Sequence, residues 1–471
     1  MADIPRFLKV AHGWFSSPKM KILMFGWEFP PHISGGLGTA CFGLTQSLSR
    51  LKTKILFVVP KAEGHRPFGG VEIMGAGSVS SPQQTITYAK GNRKSGVSSV
   101  RNMKGVSTNI IPIKVNVNLR PYFTDEFLFG ETRLQQWDYQ VKESRDNPTL
   151  QKIGEREPSF SFTGGYGPHL MEEVERYVQV ASIIARYNSF DVIHAHDWLT
   201  YPAGIEAKRM SGKPLVVHVH ATEFDRAGEN INSQVSEIER TGMEKADRII
   251  AVSQWTKNII VSRYGIPENK VTVVHNGVAA KSDKVCAEMP LIGGPVITFL
   301  GRITHQKGPA YFLEAACKVL QKFPDVHFVM AGSGDLLPNM MELAATLKIS
   351  SRVHFTGFLK SAKVDQVWAI SNVYVMPSVS EPFGIAPLEA MMSGVPVIIS
   401  KQSGVSEVVR HAIKVDFWDT EALASAICDL LTYESLNNTI KRESLEESKK
   451  ITWDRAATKI NNIYHELTTK T

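Results

Sequence analysis

Short, unbroken apolar runs rich in Val, Ile and Phe punctuate the chain, and longer segments of helical character separate them. The runs are KILMFGW from Lys21, KILFVVP from Lys54, DVIHAHDW from Asp191, PLVVHVHA from Pro214, RIIAVS from Arg248 and VTVVHNG from Val271. The second half repeats the rhythm with VITFLGR from Val296, HFVMAGSG from His327, VHFTGF from Val353, VYVMPS from Val373 and PVIIS from Pro396. Apolar residues at consecutive positions mark strands covered on both faces, and helices between them imply right-handed crossovers in parallel sheets. The pattern predicts an α/β protein, doubly wound.

One stretch of mixed polarity, VAAKSDKVCAEMPLIGGP from Val278, interrupts this rhythm and reads as a linker between two α/β domains. The expected division is residues 1–19 as an N-terminal extension, 20–280 as the first domain, 281–294 as the linker and 295–452 as the second domain. A terminal helix over 453–471 is amphipathic, with Trp453, Ala456, Ile460 and Tyr464 near one face. A polar, irregular region from about Gly64 to Pro168 interrupts the first domain.

Composition narrows the class. A chain of 471 residues, 43% hydrophobic, is long enough for two or three packed cores. No run of about 18 uncharged apolar residues occurs, and the segment before Met20 lacks the apolar core of a signal peptide, so a soluble, cytoplasmic protein is expected. Cys41, Cys286, Cys317 and Cys428 form no CxxC pair, which argues against a structural zinc site and a disulfide framework. The net charge of +7 is dispersed over 53 basic and 46 acidic residues, which suits a solvated surface or a small anionic substrate better than nucleic acid.

In open parallel sheets, ligands bind beyond the carboxyl ends of the strands. Candidate chemistry is therefore sought there. After the first run, Gly35, Gly36 and Gly38 precede a helix, a spacing that suits close approach of backbone to a ligand and equally a plain strand-to-helix turn; it is not the GxGxxG fingerprint. GRITHQKG places Arg302 and Lys307 five residues apart, a pair that can neutralise a diphosphate or simply face solvent. HAHDW and HVHA put His194 with His196, and His218 with His220, on common strand faces. An HxH pair can hold a metal, but Asp197 is the only adjacent acid, so His194 and His218 are assigned to hydrogen-bonded packing, and His196, Asp197 and His220 to the cleft. In SEPFGIAPLEAMMSGVPVI, Glu381 lies in a loop and Glu389 in the first part of a helix, where it complements the helix dipole and can also accept hydrogen bonds from vicinal hydroxyls.

This last stretch resembles the glutamate-seven-residues-glutamate motif of retaining GT-B glycosyltransferases, particularly glycosyltransferase family 4 and the glycogen and starch synthases. GWEFPPHISGGLGTA, DVIHAHDWLT, HVHATEFDR, VTVVHNGV, GRITHQKG and VMAGSGD are similar to that family's motifs in the same order, and together they span roughly Lys21 to Val409. The resemblance implies a GT-B fold, two Rossmann-like domains facing across a cleft, with a nucleotide-sugar donor such as UDP-glucose or ADP-glucose held mainly by the second and a glucan or other glycan acceptor by the first. By motif position, Arg302 and Lys307 neutralise the diphosphate, Glu381 holds the donor sugar with the backbone of Phe383 and Gly384, and Glu389 takes the ribose. His220 matches the active-site histidine near the anomeric carbon, Asp197 and Gly36 match elements near sugar and phosphate, and the resemblance implies that the terminal helix over 453–471 crosses back to complete the first domain.

The resemblance implies no cofactor and no metal, since no DxD motif is present and Arg302 and Lys307 supply the positive charge. It also implies front-face transfer without a covalent nucleophile. His32, Ile33 and Ser34 stand where bacterial ADP-glucose-using synthases carry a lysine, which favours the family 4 branch. Competing readings are a cell-envelope or lipid-linked-sugar transferase, a non-catalytic nucleotide-sugar-binding protein and a metal-dependent hydrolase.

Overall fold

All the apolar runs become strands of two parallel sheets. The protein is described here by a computed structural model covering residues 20–31, 35–62, 68–79, 160–167, 169–279, 293–359 and 361–469. The first sheet contains β1 (Lys21–Phe25), β2 (Lys54–Val59), β3 (Val71–Gly75), β4 (Val192–His196), β5 (Leu215–Val219), β6 (Arg248–Ala251) and β7 (Val271–Val273), in the order β3-β2-β1-β4-β5-β6-β7. The second contains β8 (Val296–Leu300), β9 (His327–Ala331), β10 (Val353–Gly357), β11 (Val373–Met376), β12 (Val397–Ser400) and β13 (Ile413–Val415), in the order β10-β9-β8-β11-β12-β13. β3 and β13 have no counterpart among the expected runs. Both are edge strands with partly exposed side chains, so neither carries an unbroken apolar signature.

Continuous apolar character in the central strands has a direct cause. Leu23 and Phe25 of β1 face helices Leu170–Tyr187 and Tyr201–Ser211, in a core with Tyr177, Val180, Ile184, Ala203 and Ala207. Ile22 and Met24 point the other way, onto Leu44 and Leu48 of helix Gly36–Arg50 and onto Trp453, Ile460 and Tyr464 of helix Trp453–Thr469. The terminal helix thus packs on the first sheet although its sequence follows the second. Gly43 permits its approach: a Cβ there would lie 2.3 Å from the indole nitrogen of Trp453. Beside it, Val278 N donates to Ile451 O at 3.0 Å, so the two chain passages between the domains run side by side.

In the second sheet, Ile297, Phe299 and Val375 face helices Pro309–Leu320 and Thr420–Thr432, while Tyr374, Met376 and Ile399 face helix Ala386–Met392. Both sheets reverse strand order once, between β1 and β4 and between β8 and β11. Ligands of open α/β sheets bind at such reversals, and the candidate residues cluster beyond these strands and the adjacent β5. The 1–19 extension, most of the 281–294 linker and most of the irregular region fall outside the described residues. No helix among the described residues is long and apolar enough to cross a membrane.

Candidate active site

From the second domain, Arg302 and Lys307 follow β8. Arg302 is exposed, with Nη2 donating to Gln306 Oε1 at 3.4 Å. Lys307 ends a short turn capped by Gly308, whose positive φ of 64° and 2.0 Å Cβ approach to the carbonyl of Pro377 both require glycine. That contact presses the β8 loop onto the loop beyond β11. Val379 N donates to Gln306 O at 2.9 Å and fixes the same junction. Glu381 is consequently brought under Lys307: the ammonium donates to Glu381 Oε2, and Ser378 Oγ donates to the same oxygen at 3.3 Å. The carboxylate is buried, 6% exposed, and keeps this cation at the mouth of the second sheet.

Phe383 is buried, and Gly384 turns the chain with a φ of 97°. Glu389 lies in the first turn of helix Ala386–Met392, where burial and the nearby Asp365 push its carboxyl up to about 7.

The first domain contributes the opposite wall. Gly35 and Gly36 open helix Gly36–Arg50, and a Cβ on either would meet no atom within 4 Å. Unlike Gly43, they are not required by packing of the described chain, which leaves their surface open to a ligand. Gly35 N donates to Glu28 Oε2 at 3.1 Å, and Tyr166 donates its hydroxyl proton to the other oxygen of the same carboxylate.

Asp197 follows β4 with φ 64° and ψ 167°, a conformation that glycine favours. Its N–H donates to His218 O at 3.0 Å, and Thr200 Oγ donates back to its carbonyl at 3.1 Å, so the strained residue is held from both sides. Burial pushes its carboxyl up to about 6, against the lowering effect of the Arg226 guanidinium 4.0 Å away. Arg226 is a residue that the functional reading of HATEFDR passed over. It also donates to Glu223 at 3.1 Å and to Glu239, so a single cation joins Asp197 to two further carboxylates behind it.

The four histidines form one stack. His194 and His196 rings lie 4.2 Å apart, His218 and His220 4.3 Å, and β4 pairs His196 with His218 across the ladder. His220 is half-buried beyond β5, whereas His196 lies fully buried beneath it with Nδ1 3.0 Å from His220 Nε2. This corrects the placement of His196 at the cleft: it supports His220 from below. His194 Nδ1 bonds the Tyr464 hydroxyl of the terminal helix, as a hydrogen-bonded packing role requires. His218 departs from that role, since neither of its ring nitrogens has a partner among the described residues.

Ring nitrogens of His194, His196 and His218 approach within 4.8 Å of one another, as do those of His196 and His220 with Cys41 Sγ. The His194 and His196 planes are only 18° apart, however, and face-to-face rings do not direct two in-plane lone pairs at one point.

Burial pushes His194 and His220 down to about 3 and holds His196 and His218 well below the usual imidazole range. All four are neutral at pH 7. Unfolding restores an ordinary value near 6.5, so their contribution to stability is complete above that pH and falls as pH drops towards 3, by about 1.4 kcal/mol per pH unit for each histidine that gains a proton on unfolding. Asp197 and Glu239, pushed up to about 6 and about 7, act in the opposite sense between about pH 4 and those values. The expected result is a first domain whose melting temperature falls most steeply below about pH 4. Scanning calorimetry from pH 7 to pH 3.5 measures it, and an acid-insensitive first domain would contradict the assignment of neutral histidines.

The two walls meet through side chains. Ser380 Oγ donates to Asp225 Oδ1 at 2.6 Å and accepts from Trp255 Nε1 at 3.2 Å. Glu407 caps the N-terminus of helix Gln254–Tyr264, accepting from the N–H of Gln254 and Trp255 at 2.8 and 2.7 Å, and also bonds His275 at 2.9 Å. These contacts were missed in the sequence because each joins residues from different domains with no local spacing to reveal it.

Two parallel-sheet domains with convergent loops at both strand-order reversals are the GT-B architecture, and the comparisons give its class as glycosyltransferase. Residues 145–281 match the model for Glycosyltransferase Family 4, and residues 292–449 that for Glycosyl transferases group 1. An uncharacterised glycosyltransferase of Methanocaldococcus jannaschii is 26% identical over 94% of this chain and 98% of its own length. The alpha-maltose-1-phosphate synthase of Mycolicibacterium smegmatis is 31% identical over 50% of this chain and 68% of its own length. Sucrose-phosphate synthase from Thermosynechococcus elongatus shares the fold with TM-score 0.66 at 16% identity, covering 96% of this chain and 100% of its own. HepE of Anabaena, in complex with UDP and glucose, does so with TM-score 0.61 at 17% identity, covering 95% and 100%. The chain belongs to the GT-B glycosyltransferases of the family 4 type.

Proposed function

We propose that the protein is a retaining, metal-independent glycosyltransferase that moves glucose from UDP-glucose or ADP-glucose to an α-glucan. The observation that carries this reading is the Lys307–Glu381 pair beyond β8 and β11, which sets a buried carboxylate for sugar hydroxyls beside a cation for the leaving phosphate. Transfer builds negative charge on the diphosphate as the glycosyl bond breaks. Arg302 and Lys307 are already in place to stabilise that charge, so little reorganisation is required. Glu381, with the Phe383–Gly384 backbone, orients the sugar, and Glu389 accepts from the ribose hydroxyls. Across the cleft, His220 and Asp197 face the sugar, and the open Gly36 surface admits phosphate or acceptor. No side chain is assigned as a covalent nucleophile, and the acceptor hydroxyl attacks from the face that the leaving phosphate vacates. Glycogen synthase of Mycobacterium tuberculosis, 27% identical over 51% of this chain, supports the glucan acceptor.

Incubation with labelled UDP-glucose, ADP-glucose and GDP-mannose, each with glycogen and maltooligosaccharides and with or without EDTA, tests the proposal. Chelator-resistant glucose incorporation is expected. No transfer from any of these donors, in a protein shown to bind one, would overturn the glucan acceptor. Inositol phosphates form a further arm, because a D-inositol 3-phosphate glycosyltransferase of Salinispora tropica is 27% identical over 61% of this chain.

The state of Glu389 gives this reading a pH signature. With its carboxyl pushed up to about 7 by burial, ribose binding must hold the ionised form, so the donor KM is expected to rise as pH falls from 8 to 6. Glu389→Gln should raise KM at pH 8 and flatten that dependence. A wild-type KM independent of pH would remove Glu389 from the ribose.

A further inference from the structure

His220 is the half-buried imidazole that the first domain presents beyond β5, and which of its nitrogens carries the proton decides what it can do. A neutral ring with a bare Nδ1 accepts a hydrogen bond from a hydroxyl; one with Nδ1–H donates to an oxygen. Two observations bear on the choice. The first is the 3.0 Å bond between His196 Nδ1 and His220 Nε2, which a single proton must occupy. The second is the surroundings of His196: it is fully buried, and its Nε2 has no partner among the described residues. If His220 were the donor, neutral His196 would carry its proton on Nε2 and bury an N–H with no acceptor. If His196 is the donor, the buried Nε2 is a bare lone pair. Orphaned buried N–H groups are the rarer arrangement.

We propose that His196 is a positioning residue that donates from Nδ1 to His220 Nε2 and so holds His220 in the Nδ1–H tautomer, offering the cleft a donor and not a general base. In this form His220 supplies one hydrogen bond to an oxygen of the donor sugar or its leaving group, and the acceptor hydroxyl must lose its proton elsewhere. The leaving phosphate, flanked by Arg302 and Lys307, is the group available to take it. This role rests on the glycosyltransferase reading; the tautomer itself does not.

Long-range proton–nitrogen NMR of the full chain labelled with 15N-histidine reads the tautomer directly, without donor and independently of activity, with the His220 resonances assigned by their loss in His220→Asn. Protonated Nδ1 and bare Nε2 on His220 are expected in the wild type. The reverse pattern, or a rapid mixture of both, would overturn the proposal. His196→Asn places an amide donor where Nδ1 stood and should preserve the tautomer, whereas His196→Ala should release it and lower kcat by about 3–10-fold, the effect of misdirecting one neutral hydrogen bond. A merely structural His196 would change folding in both variants and leave the tautomer where it was. If none of the donors supports transfer, the NMR result still stands or falls by itself.

Discussion

Replacement of Lys307 by alanine is expected to lower kcat by about 10²–10³, the loss that follows removal of one preorganised group opposite developing negative charge. Donor affinity should fall much less, because in the proposed site Arg302 would still meet the diphosphate. The fold should survive: Lys307 is 20% exposed, and Ser378 remains on Glu381, so the local cost falls below the about 3–5 kcal/mol of breaking a fully buried pair. Lys307→Arg keeps the charge, but its longer planar group cannot reproduce the compact contact with Glu381, and partial activity is expected. Steady-state kinetics with a verified donor, paired with circular dichroism, distinguish the outcomes. Wild-type turnover in the alanine variant would take Lys307 out of the chemistry.

The largest effect on stability is expected at Arg226. Its guanidinium serves Asp197, Glu223 and Glu239, and the side chain of Glu239 is only 3% exposed. Arg226→Leu leaves these carboxylates facing one another with no cation between them. Desolvation already pushes Glu239 up to about 7, and without the arginine it and Asp197 would rise further and become protonated near neutral pH. The predicted cost is about 3–5 kcal/mol, confined to the first domain. Calorimetry should show the first-domain transition moving to lower temperature while the second stays in place. Adding Glu239→Gln replaces a buried carboxyl that must take up a proton with a group that is always neutral and should recover part of the loss, which a simple packing defect would not allow. An unchanged melting curve in Arg226→Leu would refute the hub.

The contrast between Lys307 and Arg226 shows what could be read along the chain and what could not. Strands buried on both faces, such as β1 and β11, announce themselves as unbroken apolar runs, and a loop that follows such a strand is a ready place to look for chemistry. That logic singled out Arg302, Lys307, Glu381, Asp197 and His220 as candidates, and the structure sets each of them beyond a strand end. It passed over β3 and β13, edge strands whose side chains are partly exposed. It also passed over Arg226, whose partner Glu239 lies on another helix, and Ser380, whose partners Asp225 and Trp255 belong to the other domain. His196 was assigned to the cleft because strand alternation sets a side chain's face but not its depth; Tyr464 and Cys41, which surround the same stack, arrive from helices far away in sequence. Contacts of this kind depend on three-dimensional closure and leave no trace in local spacing.

The return of helix Trp453–Thr469 to the first domain has a consequence for the order in which the protein is made. The last strand of that domain ends at Val273, and its covering helix begins at Trp453. At about 5–20 residues per second, a ribosome takes roughly 10–40 s to travel from one to the other. Throughout that interval Ile22, Met24, Val192 and Val216 lack the cover of Trp453, Ile460 and Tyr464, and His194 lacks its hydroxyl partner. The nascent first domain is therefore a sheet with part of an apolar face uncovered until the whole second domain has emerged, a natural client for a chaperone that binds during translation.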